Sequence, residues 1–511
     1  MLGAITCLSA CASTGQAAEI AARPAAHLVE TIPKPAGAST PCDECLAERP
    51  DVRARAGTVG GDAITVDAAQ RFQTMDGFGF AMTDTSAYLI DQVPNDRGQR
   101  DELLRRLFDP VQGIGISWMR ITLGASDFTV APPPWYSYQP TQADAFDVGR
   151  PRTGSPRGDY SHIIPLLAQA NLLGKGGVTF FADPHSAPAW MKHNGVLHNF
   201  FFGRNSSCIL GYCKKAATTE DVRNDYVQYF VDFVKTYDAH GVPIAQVGVQ
   251  NEPGSNADFP AGEFTPAAQV DFISRLKREM ASQIPRLAPK VMAESTFPGG
   301  AEDILAKAAN PKRIDGVAYH CYFLRRSQRA SIMHAAAALH AHYPHTPMHE
   351  TECTQDSQGI WQKTIDVLID HSRVGASSVA GWNLALDPTG GPHSVLCSVV
   401  RDGQCFDTDR SSNMTAPVVI SGEPGNASAT FTREYYEMGQ FTKFVRPGAI
   451  RIASNELGPL HNVAFENTDG TTVLVVHNTG ETSRRFAVNV GGDRHLTVDH
   501  LPAKGIATLT W

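Results

Sequence analysis

The sequence of 511 residues has little of several features that define common classes of protein. Only 10 residues are cysteine, which excludes a disulfide-dense scaffold. No stretch reaches the roughly 18 consecutive apolar residues of a transmembrane helix. Long basic runs are also lacking, and the formal net charge is -8. These absences argue against binding to nucleic acid or to anionic lipid, and they favour a neutral substrate.

The first residues, MLGAITCLSACASTG, are apolar and rich in small side chains, which is typical of an export signal. The string LSAC at 8–11 resembles the lipobox of bacterial lipoproteins, in which the cysteine, here Cys11, becomes lipidated. No Lys or Arg precedes Cys11, so plain secretion stays open. We predict an export segment over 1–11, a flexible linker over 12–57, and an exported protein, either secreted or anchored to a bacterial envelope.

The spacing of the cysteines predicts local disulfides, as expected for an exported protein. A zinc site at the C-x-x-C of 42–45 is the alternative, but no second pair lies at zinc-finger distance. We expect no metal and no cofactor. The predicted pairs are Cys42 with Cys45, Cys208 with Cys213, and Cys397 with Cys405.

Short β-rich runs alternate with Ala/Leu-rich helical segments between about residues 72 and 385. Eight such runs predict a (β/α)8 TIM barrel, which we place over 72–440. After residue 440 the pattern changes to strands and turns, which predicts a β-sandwich over 441–511. The extended stretch at 58–71 is expected to add a strand to that sandwich. The eight runs are FQTMDGFGF, ISWMRITLG, GVTFFADP, IAQVGVQNEP, KVMAES, IDGVAYHCYF, TPMHETE and SSVAGWNLAL.

Unusual polar residues follow these predicted strands, where the active sites of such barrels lie. Glu252 follows the fourth strand directly before Pro253, which predicts an extended backbone at Glu252. Glu350 and Glu352 end the seventh strand. Two carboxylates across a barrel mouth, with an aromatic residue such as Trp382, are the groups that cleave a glycosidic bond. Spacing alone does not choose between Glu350 and Glu352, because both face the same way on a regular strand.

Eight strings resemble glycoside hydrolase family 30, which includes glucosylceramidases. They follow the family's order and span 72–450. These strings are DGFGFAMTDTSAYLI (76–90), GIGISWMRITLGASDFT (113–129), PAWMKHNG (188–195), GVQNEP (248–253), GVAYHCYF (316–323), HETEC (349–353), GWNLALDPTGGP (381–392) and YYEMGQFTKFVRPGA (435–449).

The resemblance implies a retaining β-glycoside hydrolase that acts by double displacement, similar to glucosylceramidases and β-glucosidases. Glu252 matches the family's acid/base and Glu352 its nucleophile, with Glu350 as the rival. We therefore expect the Glu352 anion to raise the pKa of Glu252. The residues expected to bind substrate or to hold the carboxylates are Arg120, Asp127, His185, Asn251, His320, Tyr322 and Trp382.

One departure from the family affects the substrate. Family members commonly carry Trp in the loop after the third strand, whereas this chain has His185 within Asp-Pro-His-Ser. His185 is either part of the sugar site or a histidine of the core or rim. The expected partner is a carbohydrate or glycolipid, and an endo-β-1,6-glucanase or another β-glycanase of the same family is the alternative.

Two alternative functions, other than glycoside hydrolysis, remain. One is an inactive barrel that only binds carbohydrate, against which the presence of both glutamates argues. The other is a metallohydrolase, since His345 and His349 stand four apart in a histidine-rich segment. No HExxH motif accompanies them, which favours a polar helix face followed by a loop.

Overall fold

The computed structural model describes residues 25–34, 38, 40–61, 63–130, 135–152, 157–199, 207–213, 221–255, 257–322, 328–355, 363–396, 406–407, 412 and 414–511. The chain divides into two compact units. One is Met75–Lys443, and the other combines the chain up to Thr74 with Phe444–Trp511. Cys11 and the predicted pair Cys397 and Cys405 lie outside the described residues.

The strands and helices are numbered in chain order. The strands are β1 (Ala25–Pro33), β2 (Cys42–Arg53), β3 (Arg55–Ala56), β4 (Ala63–Thr74), β5 (Gly77–Met82), β6 (Trp118–Thr122), β7 (Thr179–Asp183), β8 (Ile244–Gly248), β9 (Lys290–Ser295), β10 (Gly316–His320), β11 (Met348–Glu352), β12 (Ala376–Asn383), β13 (Ala385–Leu386), β14 (Val395–Leu396), β15 (Phe406–Asp407), β16 (Val418–Ser421), β17 (Ser428–Phe431), β18 (Ile450–Ser454), β19 (Leu460–Glu466), β20 (Thr472–Asn478), β21 (Arg484–Gly491), β22 (Arg494–Leu501) and β23 (Ile506–Thr510). The helices are α1 (Asp84–Asp91), α2 (Gln99–Phe108), α3 (Ile163–Leu173), α4 (Arg223–Asp238), α5 (Pro266–Gln283), α6 (Pro298–Lys307), α7 (Arg329–His342), α8 (Thr364–Arg373) and α9 (Arg433–Thr442).

Strands β5 to β12 form a closed parallel barrel, in which each strand pairs with the next and β12 pairs with β5. This confirms the predicted (β/α)8 fold. Most of these strands are apolar along much of their length, because a parallel barrel strand is covered on both faces, whereas β11 is polar after Met348. The barrel interior contains a fully enclosed cluster of Trp118, Phe181, Met292, Ala318 and Ala380.

Helices α1 and α5 each begin after a threonine whose side chain satisfies one of the first N–H groups. At α5, the Thr265 hydroxyl accepts a hydrogen bond from the N–H of Ala268, and Pro266 occupies the first turn, where a missing N–H costs nothing. Phe272 and Leu276, four residues apart, lie on its buried face. The helix thus covers the barrel with one apolar stripe.

The second unit is a β-sandwich built from a ten-stranded sheet, as the sequence predicted. The strand order is β2-β1-β23-β20-β19-β18-β4-β21-β22-β3. Strand β4 joins the two parts of this sheet, since it pairs antiparallel with β18 on one side and parallel with β21 on the other. Apolar residues of both halves, among them Leu28, Ile452, Val476 and Phe486, share one core.

The prediction of a flexible linker over 12–57 is wrong for its described part, because β1 and β2 belong to this sheet. Strand β2 lies at the sheet edge and buries only Cys42 fully, so its sequence, CDECLAERPDVR, lacks the alternation of a buried strand. The disulfide Cys42–Cys45 lies in this strand.

Two predicted disulfides, Cys42–Cys45 and Cys208–Cys213, are confirmed. A third, Cys321–Cys353, was not predicted. Among the helices that the structure describes, none is both long and apolar enough to cross a membrane.

Candidate active site

The predicted site residues lie at one end of the barrel, around the carboxyl ends of its strands. Active sites of (β/α)8 enzymes occupy this face. In chain order they are Arg120 in β6, Asp127 after β6, His185 after β7, Asn251 and Glu252 after β8, His320 at the end of β10, Tyr322 just beyond it, Glu352 at the end of β11 and Trp382 in β12.

Glu252 occupies a turn beyond β8 with φ of 40°, in the left-handed region. We expected an extended residue there, because the following Pro253 disfavours helical geometry, so that expectation is wrong. A left-handed backbone at a residue other than glycine costs on the order of 1–3 kcal/mol, and such residues cluster at active sites. The carboxylate accepts a hydrogen bond of 3.3 Å from the Ser255 hydroxyl.

The imidazole of His320 lies between the two glutamates. Its Nδ1 is 3.0 Å from Oε1 of Glu252, and its Nε2 is 3.8 Å from Oε2 of Glu352. The ring is almost fully buried, whereas the Glu252 side chain is 19% exposed and that of Glu352 8%. The two carboxylates therefore share one neighbour, and Glu252 is the more accessible of them.

The pKa values of the two glutamates are shifted in opposite directions. Burial raises the pKa of Glu252, but the hydrogen bond and charge of His320 outweigh it, so the net pKa lies below the usual value. Burial raises the pKa of Glu352, and the charges of His320 and Arg120 offset this only in part. The expectation of a raised pKa for Glu252 is thus wrong for the free site, because His320 contacts this carboxylate directly.

Glu350 and Glu352 have different environments. Glu352 forms an ion pair with Arg120 and contacts Tyr322, whose pKa is raised well above its usual value by burial and by the charge of Glu352. Glu350 is fully buried, and its two oxygens accept backbone N–H groups of Glu352 and Ala380 at 2.9 and 3.2 Å. Glu350 thus supports the backbone on which Glu352 is mounted.

Arg120 contacts both Glu352 and Asn251, the residue before Glu252. Its Nη1 pairs with Glu352, and its Nη2 donates to Oδ1 of Asn251 at 2.6 Å. Asp183 accepts from Nε at 2.8 Å and from Nη2 at 2.6 Å, a bidentate contact in which both side chains are fully buried. Such a planar fork fixes geometry as well as charge.

Glu294, at the end of β9, completes this network and was not predicted. Burial, followed by the charge of Asp183 and a hydrogen bond with it, raises the pKa of Glu294 well above its usual value. Asp183 remains an anion, since Arg120 overcomes the effect of burial and lowers its pKa. Glu294 also accepts the backbone N–H of Gln250, just before Asn251. The predicted strand KVMAES carries this acid one residue before its end, which was the available signal.

His185 stacks on Trp382, with ring centroids 5.4 Å apart and an interplanar angle of 27°. Trp382 is 1% exposed and has Arg120 on its ring at 4.7 Å, so it supports these neighbours rather than offering an open face. Burial and the charge of Arg120 lower the pKa of His185 to about 4. Asp127 lies 3.9 Å from His185 and 3.6 Å from His393.

The residues of the alternative metal site do not come together. His349 lies in β11 and contacts Ser378, whereas His345 is exposed in the preceding turn. A cavity of about 520 Å³ lies near loops that follow β6 and β7. None of its lining residues belongs to the glutamate network, so side-chain chemistry rather than cavity size identifies the candidate site.

The chain matches two family models. Residues 75–402 match the glycosyl hydrolase family 30 TIM-barrel domain, and residues 448–509 match the glycosyl hydrolase family 30 beta sandwich domain.

Among similar proteins, the endo-1,6-beta-D-glucanase BGN16.3 of Trichoderma harzianum is 29% identical over 80% of this chain and 78% of its own length. The lysosomal acid glucosylceramidase of Mus musculus is 27% identical over 83% of this chain and 78% of its own length. The solved structure of the endo-beta1,6-glucanase BT3312 superposes with a TM-score of 0.73, at 23% identity, over 95% of this chain and 99% of its own.

The fold and the paired carboxylates are those of a glycosidase. The chain belongs to glycosyl hydrolase family 30 and is an O-glycosyl hydrolase.

Proposed function

We propose that the protein is a retaining β-glycosidase, similar to glucosylceramidases and β-glucosidases, that cleaves β-glucosidic bonds by double displacement. The observation that carries the proposal is the placement of Glu252 and Glu352 on either side of the His320 ring. The two carboxyl groups thus adjoin one site, where one can attack the anomeric carbon and the other can transfer the proton.

Glu352 is the nucleophile and Glu252 the acid/base. In the first step Glu352 attacks the anomeric carbon, the glycosidic C–O bond breaks, and Glu252 gives its proton to the leaving oxygen. In the second step water attacks the glycosyl ester, Glu252 takes a proton from that water, and Glu352 leaves as a carboxylate. Glu350 has no place in this scheme, because both its oxygens already accept backbone N–H groups.

Substrate binding supplies the protonation that the first step needs. In the free site His320 keeps the pKa of Glu252 low, although burial acts in the opposite direction. Glu252 retains the larger exposed fraction of the two acids, and a bound sugar would cover it. The further loss of solvent raises the pKa of this carboxyl, which then holds the proton for the leaving group.

The other members of the set position the sugar. Asn251 has its carbonyl oxygen engaged by Arg120, which leaves its amide to donate to the sugar 2-hydroxyl, a contact that strengthens in the transition state. Tyr322 and His320 adjoin the carboxylates, whereas Asp127 lies beside His185, which stacks on Trp382.

An endo-β-1,6-glucanase is the second candidate. Its support comes from similar proteins, among them BGN16.3 and BT3312, which are named as endo-1,6-beta-glucanases. His185 fills the position where a family tryptophan is expected, so the sugar meets a neutral imidazole rather than an indole. An inactive carbohydrate-binding barrel has no need of the buried Arg120 that holds Glu352.

The test compares p-nitrophenyl β-glucoside, glucosylceramide and β-1,6-glucan as substrates of the wild-type protein, with Glu252→Gln and Glu352→Gln alongside. Each variant should lose nearly all hydrolysis while keeping its circular dichroism spectrum, because each loses a chemical role rather than packing. Proton NMR of the first-formed sugar should show the β anomer. Near-normal turnover of either variant, or an initial α anomer, would contradict the assignment.

We also propose export, with a membrane tether through lipidated Cys11 as the specific form. The LSAC string supports export. The disulfides of the described region support an oxidising compartment. If the tether exists, the mature protein partitions with membranes and Cys11→Ala releases it. Wild-type protein that stays soluble in the medium would refute the tether, and unprocessed protein in the cytoplasm would refute export.

A further inference from the structure

The disulfide Cys321–Cys353 joins the two strand ends that carry most of the catalytic groups. Cys321 follows His320 and precedes Tyr322, and Cys353 follows Glu352 directly. Both cysteines are 3% exposed, and their Cα atoms are 5.4 Å apart, a distance common to disulfides. The disulfide is therefore adjacent in sequence to the proposed nucleophile Glu352 and to two residues that contact it, His320 and Tyr322.

The pairing of β10 with β11 ends at this point. Its last paired residues are His320 and Glu352, and an irregularity separates this pair from Tyr319 and Glu350. One extra residue, Thr351, is accommodated in β11 without a partner across the ladder. The disulfide joins the next residue of each strand, in the place of a further pair.

A bulge near a strand end is a weak point of register. If β11 moved by one residue, a neighbour of Glu352 would take its inward position, because successive side chains point to opposite faces. The charge of Glu252, which adds to the effects raising the pKa of Glu352, favours such a movement, since it disfavours a second anion nearby. The ladder between β10 and β11 has no further pair beyond His320 and Glu352 to resist this movement.

We propose that the Cys321–Cys353 disulfide is a positioning device for the hydrolysis, one that fixes the register of β11 so that the Glu352 carboxylate stays against Arg120, His320 and Tyr322. The inference rests on the function proposed above for Glu352. The cysteines themselves take no part in bond making. Their effect passes through the backbone to the nucleophile, to the His320 ring and to the Tyr322 hydroxyl.

The test uses the full-length double variant Cys321→Ser/Cys353→Ser and, as the matched control, Cys42→Ser/Cys45→Ser, which removes a disulfide of the β-sandwich. Three readouts are taken on folded protein: kcat and KM for p-nitrophenyl β-glucoside, the pH profile of kcat/KM, and the rate of labelling by a 2-deoxy-2-fluoro β-glucoside. A misplacement of about 1 Å can cost about 10²-fold in rate, so we expect kcat and the labelling rate to fall by that order with a small change in KM.

All assays contain EDTA. An imidazole nitrogen of His371 and the two sulfur atoms lie within 4.8 Å of one another, so free thiols at these positions could hold a divalent cation. The chelator keeps such an ion out of any wild-type protein in which this disulfide is reduced.

The outcomes distinguish a failure of the proposed function from a failure of the role proposed for the disulfide. If the wild-type protein is not labelled on Glu352, the proposed function fails. If the wild type is labelled and the double variant reacts within about twofold of it, with an unchanged pH profile, the disulfide is only structural and the inference fails. Should the serine variant not fold, Cys321→Val/Cys353→Ala keeps the site apolar, and the same criteria apply to it.

Discussion

The buried, neutral His185 makes a prediction about acid stability. Burial and the charge of Arg120 lower its pKa to about 4 in the folded protein, against an ordinary value of 6.5. The unfolded chain therefore takes up a proton at this residue as the pH falls through 6.5, whereas the folded protein does so only near 4. Stability that is fully present at neutral pH is lost across that window.

The size of this effect follows from the two pKa values. Each unit of pKa difference corresponds to about 1.4 kcal/mol, so between about pH 7 and about pH 4.5 the His185 contribution to unfolding free energy falls by about 2.5 kcal/mol. In His185→Gln this part of the acid-induced loss should disappear. The lost stacking on Trp382 acts equally at both pH values and cancels in the comparison.

The assay is urea unfolding of both proteins at the two pH values, followed by circular dichroism. The wild type should lose about 2.5 kcal/mol more on acidification than His185→Gln does. His371, whose pKa burial also lowers to about 4, should behave in the same sense when replaced by glutamine. If acidification costs His185→Gln as much as it costs the wild type, the linkage argument is refuted.

Three further predictions concern the active site. His320→Asn should move both limbs of the kcat/KM pH profile to higher pH, because His320 lowers the pKa of Glu252 and of Glu352. Glu350→Gln should cost about 1–3 kcal/mol of stability, measured by urea unfolding, since an amide group cannot accept both backbone N–H groups. In steady-state assays that variant should keep far more of its kcat than Glu352→Gln. Arg120→Met should lower the unfolding free energy by about 3–5 kcal/mol, because it leaves buried carboxylates without their partner.

Controls distinguish these effects from general damage. Arg275→Met, which removes a surface ion pair with Asp271, should cost only about 0.5 kcal/mol. An Arg120→Met protein as stable as this control would contradict the buried network. An unshifted pH profile in His320→Asn would show that the ring does not set either pKa. A loss of kcat in Glu350→Gln equal to that in Glu352→Gln would reopen the choice of nucleophile.

The barrel and its strand ends could be predicted because buried parallel strands are continuous apolar runs that stop at polar residues. The run TFFAD of β7 shows this, since it stops at Asp183, which pairs with Arg120 in the site. Strand β2 could not be predicted, since an exposed edge strand has no apolar face to reveal it. The geometry of Glu252 was also missed, because the local preference before proline is overridden by the contacts of the loop.

Pairings between distant residues required the structure. The disulfide Cys321–Cys353 spans 32 residues and depends on the register of two neighbouring strands, which the sequence leaves undetermined. The raised pKa of Glu294 beside Asp183 likewise follows from the nearness of the ends of β9 and β7 inside the barrel. The choice between Glu350 and Glu352 turns on which carboxylate is already occupied by backbone N–H groups.

The central claim is that Glu352 attacks the sugar and becomes covalently attached to it. A 2-deoxy-2-fluoro β-glucoside with a good leaving group slows the second step, so that the glycosyl-enzyme accumulates. Proteolysis and mass spectrometry of the inactivated protein then locate the ester. The account predicts a single fluoroglucosyl group on Glu352 and none in the Glu352→Gln variant. Attachment to Glu350, or time-dependent inactivation that leaves Glu352 unlabelled, would contradict it.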